Sequence, residues 1–182
     1  SQCADPDQGL LSFERILASA AEHGIRDELA RNLLADSDFR LQLALVLGAS
    51  EALAEFLVRH PEQYRVLVDH DLMDHPPTPE VLRDELVASV GCTAADNAPW
   101  LDGASALLAL AARDLSGHSS FSEVTHELAH LADAVLAACL ELARCELPAD
   151  AAPCRIAIVS MGKCGGQELN YISDVDVIFV AE

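Results

Sequence analysis

Two aspartates one residue apart, Asp174 and Asp176, lie among valine, isoleucine and phenylalanine near the end of the 182-residue chain. The segment Asp174-Val175-Asp176-Val177-Ile178-Phe179-Val180 has the alternation and β-branched content of a strand. On a strand both carboxylates project to one face and both valines to the other. Carboxylates on neighbouring same-face positions repel unless a cation lies between them. Magnesium suits that place, because it takes one or two carboxylates together with phosphate oxygens. A dozen residues earlier, Met161-Gly162-Lys163-Cys164-Gly165-Gly166 reads as a Gly-rich turn. Gly162, Gly165 and Gly166 remove side chains where a phosphate must approach the backbone. Gln167 to Asn170 are expected to form a helical turn whose first amides face an anion. Lys163, the chain's only lysine beside ten arginines, and Ser173 complete the expected phosphate-binding set. The G-x-x-x-x-G-K-[ST] order of a Walker loop is absent.

The elements that must hold these residues are a β-prone run at Ile156, Ile158 and Val159 before the turn, and a long helical region before that. Asp5-Pro6-Asp7-Gln8 carries an N-cap, a first-turn proline and a glutamine placed for a capping box, and predicts a helix to about Glu22. Helices are expected over 27–35 and 38–47, then after a Ser50 cap, then from Pro61 through Val68. Residues 70–79 hold three prolines and read as a connector. Thr78-Pro79 predicts a helix to about Val90, residues 92–102 a loop around Trp100, and Asp102 a cap for a helix to Leu115. Ser120-Phe121-Ser122-Glu123 is a capping box for the longest helix, to about Arg144, and 147–153 a linker. The fold class expected is therefore mainly α: a helical region over 1–147, leading into the first strands of an α+β domain over 154–182. The chain starts at Ser1 and stops just past an apolar strand expected to be buried, so the fold is expected to continue beyond Glu182.

Composition excludes some classes of function. A net charge of −19 opposes a nucleic-acid surface, which needs clustered lysine and arginine. No apolar run approaches the roughly 20 residues of a membrane span. The six cysteines have no C-x-x-C spacing and are expected to be free thiols in a reducing cytoplasm.

His126-Glu127-Leu128-Ala129-His130 matches the H-E-x-x-H pattern of zinc proteases. At 100° per residue, Val124, Leu128, Leu131, Val135, Cys139 and Leu142 fall on one face. His126 and His130 fall on the other, beside Asp133, Glu141 and Arg144. Asp133 and Leu136 occupy the places of the Gly and the third His in the extended motif. The two histidines are therefore expected on a solvated face, without the third ligand and dry cavity that zinc chemistry needs.

Gly162-Lys163, ten residues, then Asp174-Val175-Asp176-Val177 resembles the nucleotidyltransferase superfamily pattern of G-[GS] followed by Asp-hydrophobic-Asp-hydrophobic, with Lys163 in place of the usual Gly or Ser. The fuller string MGKCGGQELNYISDVDVIF is similar to M-G-K-x-G-x-x-E-L-N-[FY]-x-S-D-x-D of the bifunctional glutamine-synthetase adenylyltransferase/adenylyl-removing family. Leu47-Gly48-Ala49-Ser50-Glu51-Ala52-Leu53 and Arg59-His60-Pro61-Glu62 are similar to further segments of that family. The ending and the upstream segments look most like the amino-terminal, adenylyl-removing half of actinobacterial members. The resemblance implies phosphorolytic removal of AMP from a glutamine-synthetase tyrosine, giving ADP. It also implies Mg²⁺, ATP or ADP and inorganic phosphate at the site, and a third carboxylate on a strand beyond Glu182. The implied partners are glutamine synthetase and a PII-type nitrogen signalling protein, in the cytoplasm. The alternatives are the adenylyl-adding half and a non-catalytic helical docking module.

Overall fold

The computed structural model describes residues 3–90, 98–148, 150, 152 and 154–182. It is mainly helical with one two-stranded antiparallel sheet. In order the elements are α1 (Pro6–Glu22), α2 (Arg26–Ala35), α3 (Ser37–Ala49), α4 (Glu51–Arg59), a 3₁₀ helix (Pro61–Leu67), α5 (His70–Asp74), α6 (Pro79–Ala88), α7 (Ala98–Leu115), α8 (Phe121–Cys145), β1 (Ile156–Ser160), α9 (Gly162–Gly165) and β2 (Val177–Ala181). The chain packs as two compact units, Ser1–Pro76 with Leu107–Ser119, and Pro77–Ala106 with Ser120–Glu182.

In the first unit the caps are those the sequence encodes. Asp5 accepts from the backbone of Asp7 and Gln8 at 3.1 and 3.0 Å, Asp36 caps α3, and Ser50 caps α4. Gln8 does not close a capping box. Its amide donates instead to the Leu47 carbonyl at 3.3 Å, tying α1 to α3. Ile16, Phe39, Val46, Leu57, Tyr64 and Leu108 are fully buried, with the Phe39 and Tyr64 rings 5.6 Å apart. Tyr64 buries its ring but keeps its hydroxyl partnered: the hydroxyl donates to Glu28 at 2.9 Å and accepts from Asn32 at 3.0 Å. Arg65 grips the same Glu28 carboxylate with two bonds of 2.8 Å, and this Arg65 contact, followed by the Tyr64 hydroxyl, holds Glu28 down to about 2. Among the described residues no single helix is long and apolar enough to cross a membrane. The apolar pair α3 and α4 is bent by 116° and supplies much of this core.

In the second unit α6 packs along α8, burying Leu82 and Leu86 with Val124, Leu128 and Leu131. The capping box of α8 forms in full: Ser120 Oγ accepts from the Glu123 amide at 3.3 Å, and the Glu123 carboxylate accepts from the Ser120 amide at 2.7 Å. Of the apolar face read for α8, Val124, Leu128 and Leu131 are buried and Val135 is half-buried, but Cys139 and Leu142 are exposed, so the last turns leave the core. Two expectations for helices are corrected. Residues 98–102, read as loop, open α7, and His70–Asp74, read as connector, form the short helix α5 started by an Asp69 cap. In both places nearby prolines masked a helix that starts or ends beside them. The remainder of the expected 92–102 loop, with Cys92, lies outside the described residues. Cys3, Cys139, Cys154 and Cys164 are free thiols, whereas Cys145 is disulfide-bonded, against the expectation. Spacing along a chain does not report which cysteines folding brings together.

Candidate functional site

β1 and β2 pair antiparallel from Ile156↔Ala181 to Ser160↔Val177. The ladder has a further hydrogen bond past its last pair, in which the Met161 amide donates to the Asp176 carbonyl at 2.8 Å. The Gly-rich turn and the aspartate segment therefore leave the mouth of the strand pair side by side. A Cβ on Gly162 would sit 3.8 Å from Asp176 Oδ2, so the turn starts against that carboxylate.

Three expectations for this segment are corrected. Asp174 and Asp176 precede β2 instead of lying on it, because regular pairing starts at Val177. The strand alternation invoked to align their carboxylates therefore does not operate there, and both side chains are exposed. The helical turn lies at Gly162–Gly165, not at 167–170. It closes with the Gln167 amide donating to the Cys164 carbonyl at 3.1 Å and the Glu168 amide to the Lys163 carbonyl at 2.8 Å, the two bonds of a Schellman ending. Such an ending needs a left-handed residue, and Gln167 takes φ 59° at a cost of roughly 1 kcal/mol. Thirdly, the strand expected to be buried is open to solvent, with Ile178, Phe179 and Val180 all exposed.

Two of the glycines have reasons inside the fold. Gly162 has φ 55°, and a Cβ on Gly165 would fall 2.3 Å from the Ser160 carbonyl oxygen. The buried Cys164 and Leu169 anchor the turn from below. Lys163, exposed, places Nζ 3.3 Å from Ser173 Oγ, so the cation and the hydroxyl read from the sequence meet.

The face of α8 expected to be solvated has His126 and Asp133 exposed, with His130 half-buried, and it also carries a contact. Ser160 Oγ donates to Asp133 at 3.2 Å, fixing the end of β1 to the helix. His130 and Asp133 line a cleft with Arg83, Asp84, Ser160 and Gln167. His126 is exposed, with Nδ1 2.6 Å from the Ser122 carbonyl, and its ring centroid lies 6.5 Å from that of His130. Among the described residues no three His, Cys, Asp or Glu side chains converge as a metal-holding group. Two carboxylates are a donor set that fits magnesium, which draws its remaining ligands from phosphate and water, better than zinc.

No side-chain role for Asp133, Ser160 or Asn170 was drawn from the sequence. The first two meet only in three dimensions. Asn170, three residues before Ser173, had a signal in the asparagine-turn chemistry of such spacings.

A Gly-rich turn and an Asp-x-Asp segment, held side by side at the mouth of an antiparallel strand pair, are the pieces that the resemblance to nucleotidyltransferases implies. Residues 41–182 match the family model described as glutamate-ammonia ligase adenylyltransferase, and the chain belongs to that family. It is 45% identical over 182 residues to the bifunctional glutamine synthetase adenylyltransferase/adenylyl-removing enzyme of Streptomyces avermitilis, covering 98% of this chain and 18% of the relative. The same-named proteins of Streptomyces coelicolor and Mycobacterium avium are 44% and 40% identical, covering 98% and 100% of this chain and 18% and 19% of theirs. The chain thus spans less than a fifth of the length of these relatives.

Proposed function

We propose that residues 154–182 begin the catalytic domain of an adenylyl-removing enzyme, that residues 1–147 form its helical region, and that the protein acts in the cytoplasm on adenylylated glutamine synthetase. The observation that carries this reading is the 2.8 Å bond from Met161 to Asp176, which brings the Gly-rich turn and the carboxylate segment together at one end of the strand pair. Asp174 and Asp176 would hold Mg²⁺, which when bound supplies neutralisation of phosphoryl charge. Gly162, Gly165 and Gly166 keep the backbone of the turn clear for phosphate oxygens, and Lys163 donates to them, as positioning and electrostatics dominate phosphoryl-transfer catalysis. Ser173 aligns Lys163.

In the reaction an oxygen of inorganic phosphate bonds to the phosphorus of AMP. The bond from that phosphorus to the tyrosine oxygen breaks, and ADP and a tyrosine phenolate leave. The phenolate takes its proton from solvent. A PII-type signalling protein is the regulatory partner that this reading includes.

The test is phosphate-dependent ADP release from adenylylated glutamine synthetase by the full-length protein. Asp174→Asn and Asp176→Asn should each reduce it by about 100-fold or more, the scale of losing a group that stabilises transition-state charge. Full activity in either variant rules out the ligand assignment.

A further inference from the structure

The Asn170 side chain organises the polar side of the turn. Its Oδ1 accepts from the Ile172 amide at 3.1 Å and from the Ser173 hydroxyl at 2.7 Å, while its carbonyl accepts from the Ser173 amide at 3.1 Å. The Ile172 contact fixes the side-chain orientation, because a backbone N–H requires an oxygen opposite it, not the NH₂ group. With that oxygen in place, the Ser173 hydroxyl has to donate its one proton to Asn170. What remains on Ser173 Oγ is lone pairs, and Lys163 Nζ, a pure donor, stands 3.3 Å away. The direction of the chain is therefore set throughout: Lys163 donates to Ser173, and Ser173 donates to Asn170. Ser173 has no proton left for a phosphate oxygen, so it does not serve as a phosphate donor in this arrangement. The remaining N–H bonds of Lys163 do.

We propose that Asn170 is a positioning residue, which through Ser173 holds the ammonium group of Lys163 in place to bind a phosphoryl group. The inference rests on the proposed function for its ligand class, a phosphoryl group carried by nucleotide or by inorganic phosphate. The hydrogen-bond relay itself stands independently of that function. Lys163 is exposed and its side chain is long, so without a tether it samples many rotamers, and holding it before the ligand arrives removes part of that entropy cost.

The single lysine makes the test direct. Lysine labelled with ¹³C and ¹⁵N gives the 182-residue chain one side-chain signal. Wild type should show two inequivalent Hε resonances and restricted Cε motion. Asn170→Ala and Ser173→Ala should each collapse the Hε pair to one shift with the backbone amide spectrum otherwise kept. Asn170→Asp and Ser173→Thr, which retain the acceptor and the hydroxyl, should preserve it. An unchanged lysine signal in Asn170→Ala overturns the relay.

Inorganic phosphate and ADP, titrated separately, distinguish the source of the phosphoryl group by which one moves the Lys163 signal. A signal moved by neither overturns the anion role. In the full-length protein Asn170→Ala should raise KM for that same ligand about tenfold, the scale of one charge-assisted hydrogen bond, with kcat changed less than about threefold. Added to Lys163→Met it should have almost no further effect, since both act through one cation. Additive losses would overturn the proposal. If Asp174→Asn leaves ADP release intact, the metal-ligand reading fails while the lysine spectra still decide the relay.

Discussion

Gly165→Ala asks whether the Gly-rich turn is shaped by its own backbone. A Cβ at this position falls 2.3 Å from the Ser160 carbonyl oxygen and 2.9 Å from its carbon, both inside the 3.0 Å that real Cβ contacts essentially never breach. The obstacle is backbone, so no rotamer change relieves it. Either α9 lifts from β1 or the end of β1 moves by several tenths of an ångström. Ser160 pairs with Val177, and the next residue holds the Asp176 carbonyl, so a shift there is passed to the carboxylate segment. Enlarging a side chain in a closely packed place costs about 1–3 kcal/mol. At about 2–4 °C per kcal/mol, the melting temperature of the chain should fall by roughly 2–12 °C. Gly24→Ala is the control: at φ 72° with nothing within 4 Å of its Cβ, it costs only the left-handed backbone, about 1 kcal/mol. In the full-length protein Gly165→Ala should also lower the rate of ADP release by about 100-fold, the scale of a misplaced reacting group. A Gly165→Ala chain that melts with wild type, or above Gly24→Ala, would refute the steric reasoning.

Glu28 gives a dependence on acid. Its carboxyl is held at about 2 in the folded chain against an ordinary 4.5, so the stability it confers is complete above about 4.5 and is lost as pH falls toward about 2. Glu28→Gln should therefore melt below wild type at neutral pH, with the gap closing across that window in a series of thermal scans. Ser120→Ala removes the hydroxyl half of the α8 capping box and should cost about 1 kcal/mol by denaturant titration, whereas Ser119→Ala, one residue earlier, should cost almost nothing.

How far the sequence led can be judged element by element. Ser120 and Glu123 encode the start of α8 locally, and Gly24 and Gly117, at φ 72° and 78°, mark helix endings that a local rule reads. Lys163 and Ser173 were each legible as members of one motif, whereas their contact with each other appears only in the folded turn. What local rules missed depends on distance along the chain. Glu28 finds Tyr64 and Arg65, and Ser160 finds Asp133, only after helices have packed. The misplacement of Asp174 and Asp176 onto β2 has a different cause. Their alternation with valine satisfies the strand pattern, but where pairing stops depends on the partner strand, and β1 ends at Ser160. Gln167 was misread for a third reason: a glutamine in a left-handed position breaks the propensity rule, and the rule that won was the closing of α9.

That misplacement explains why the candidate site lies where it does. On a regular strand Asp174 and Asp176 would each be held by ladder bonds, whereas here only the Asp176 carbonyl, opposite Met161, is held at the mouth of the pair. Past that bond the two chains diverge, one curling into α9 and the other opening through Asp174 and Ser173. The connection over 161–176 would be costly to order if it were free, since fixing a backbone residue costs about 1–2 kcal/mol. It is instead locked in stages: Gly165 against Ser160, the paired amide bonds that end α9, the Asn170 turn, and the Lys163–Ser173 contact. Each lock lies within residues 160–176, and the Ser160–Asp133 bond ties their base to α8. Under the proposed function the cation and the backbone of the carboxylate segment are thus arranged before a ligand binds, and the ligand is spared that ordering cost.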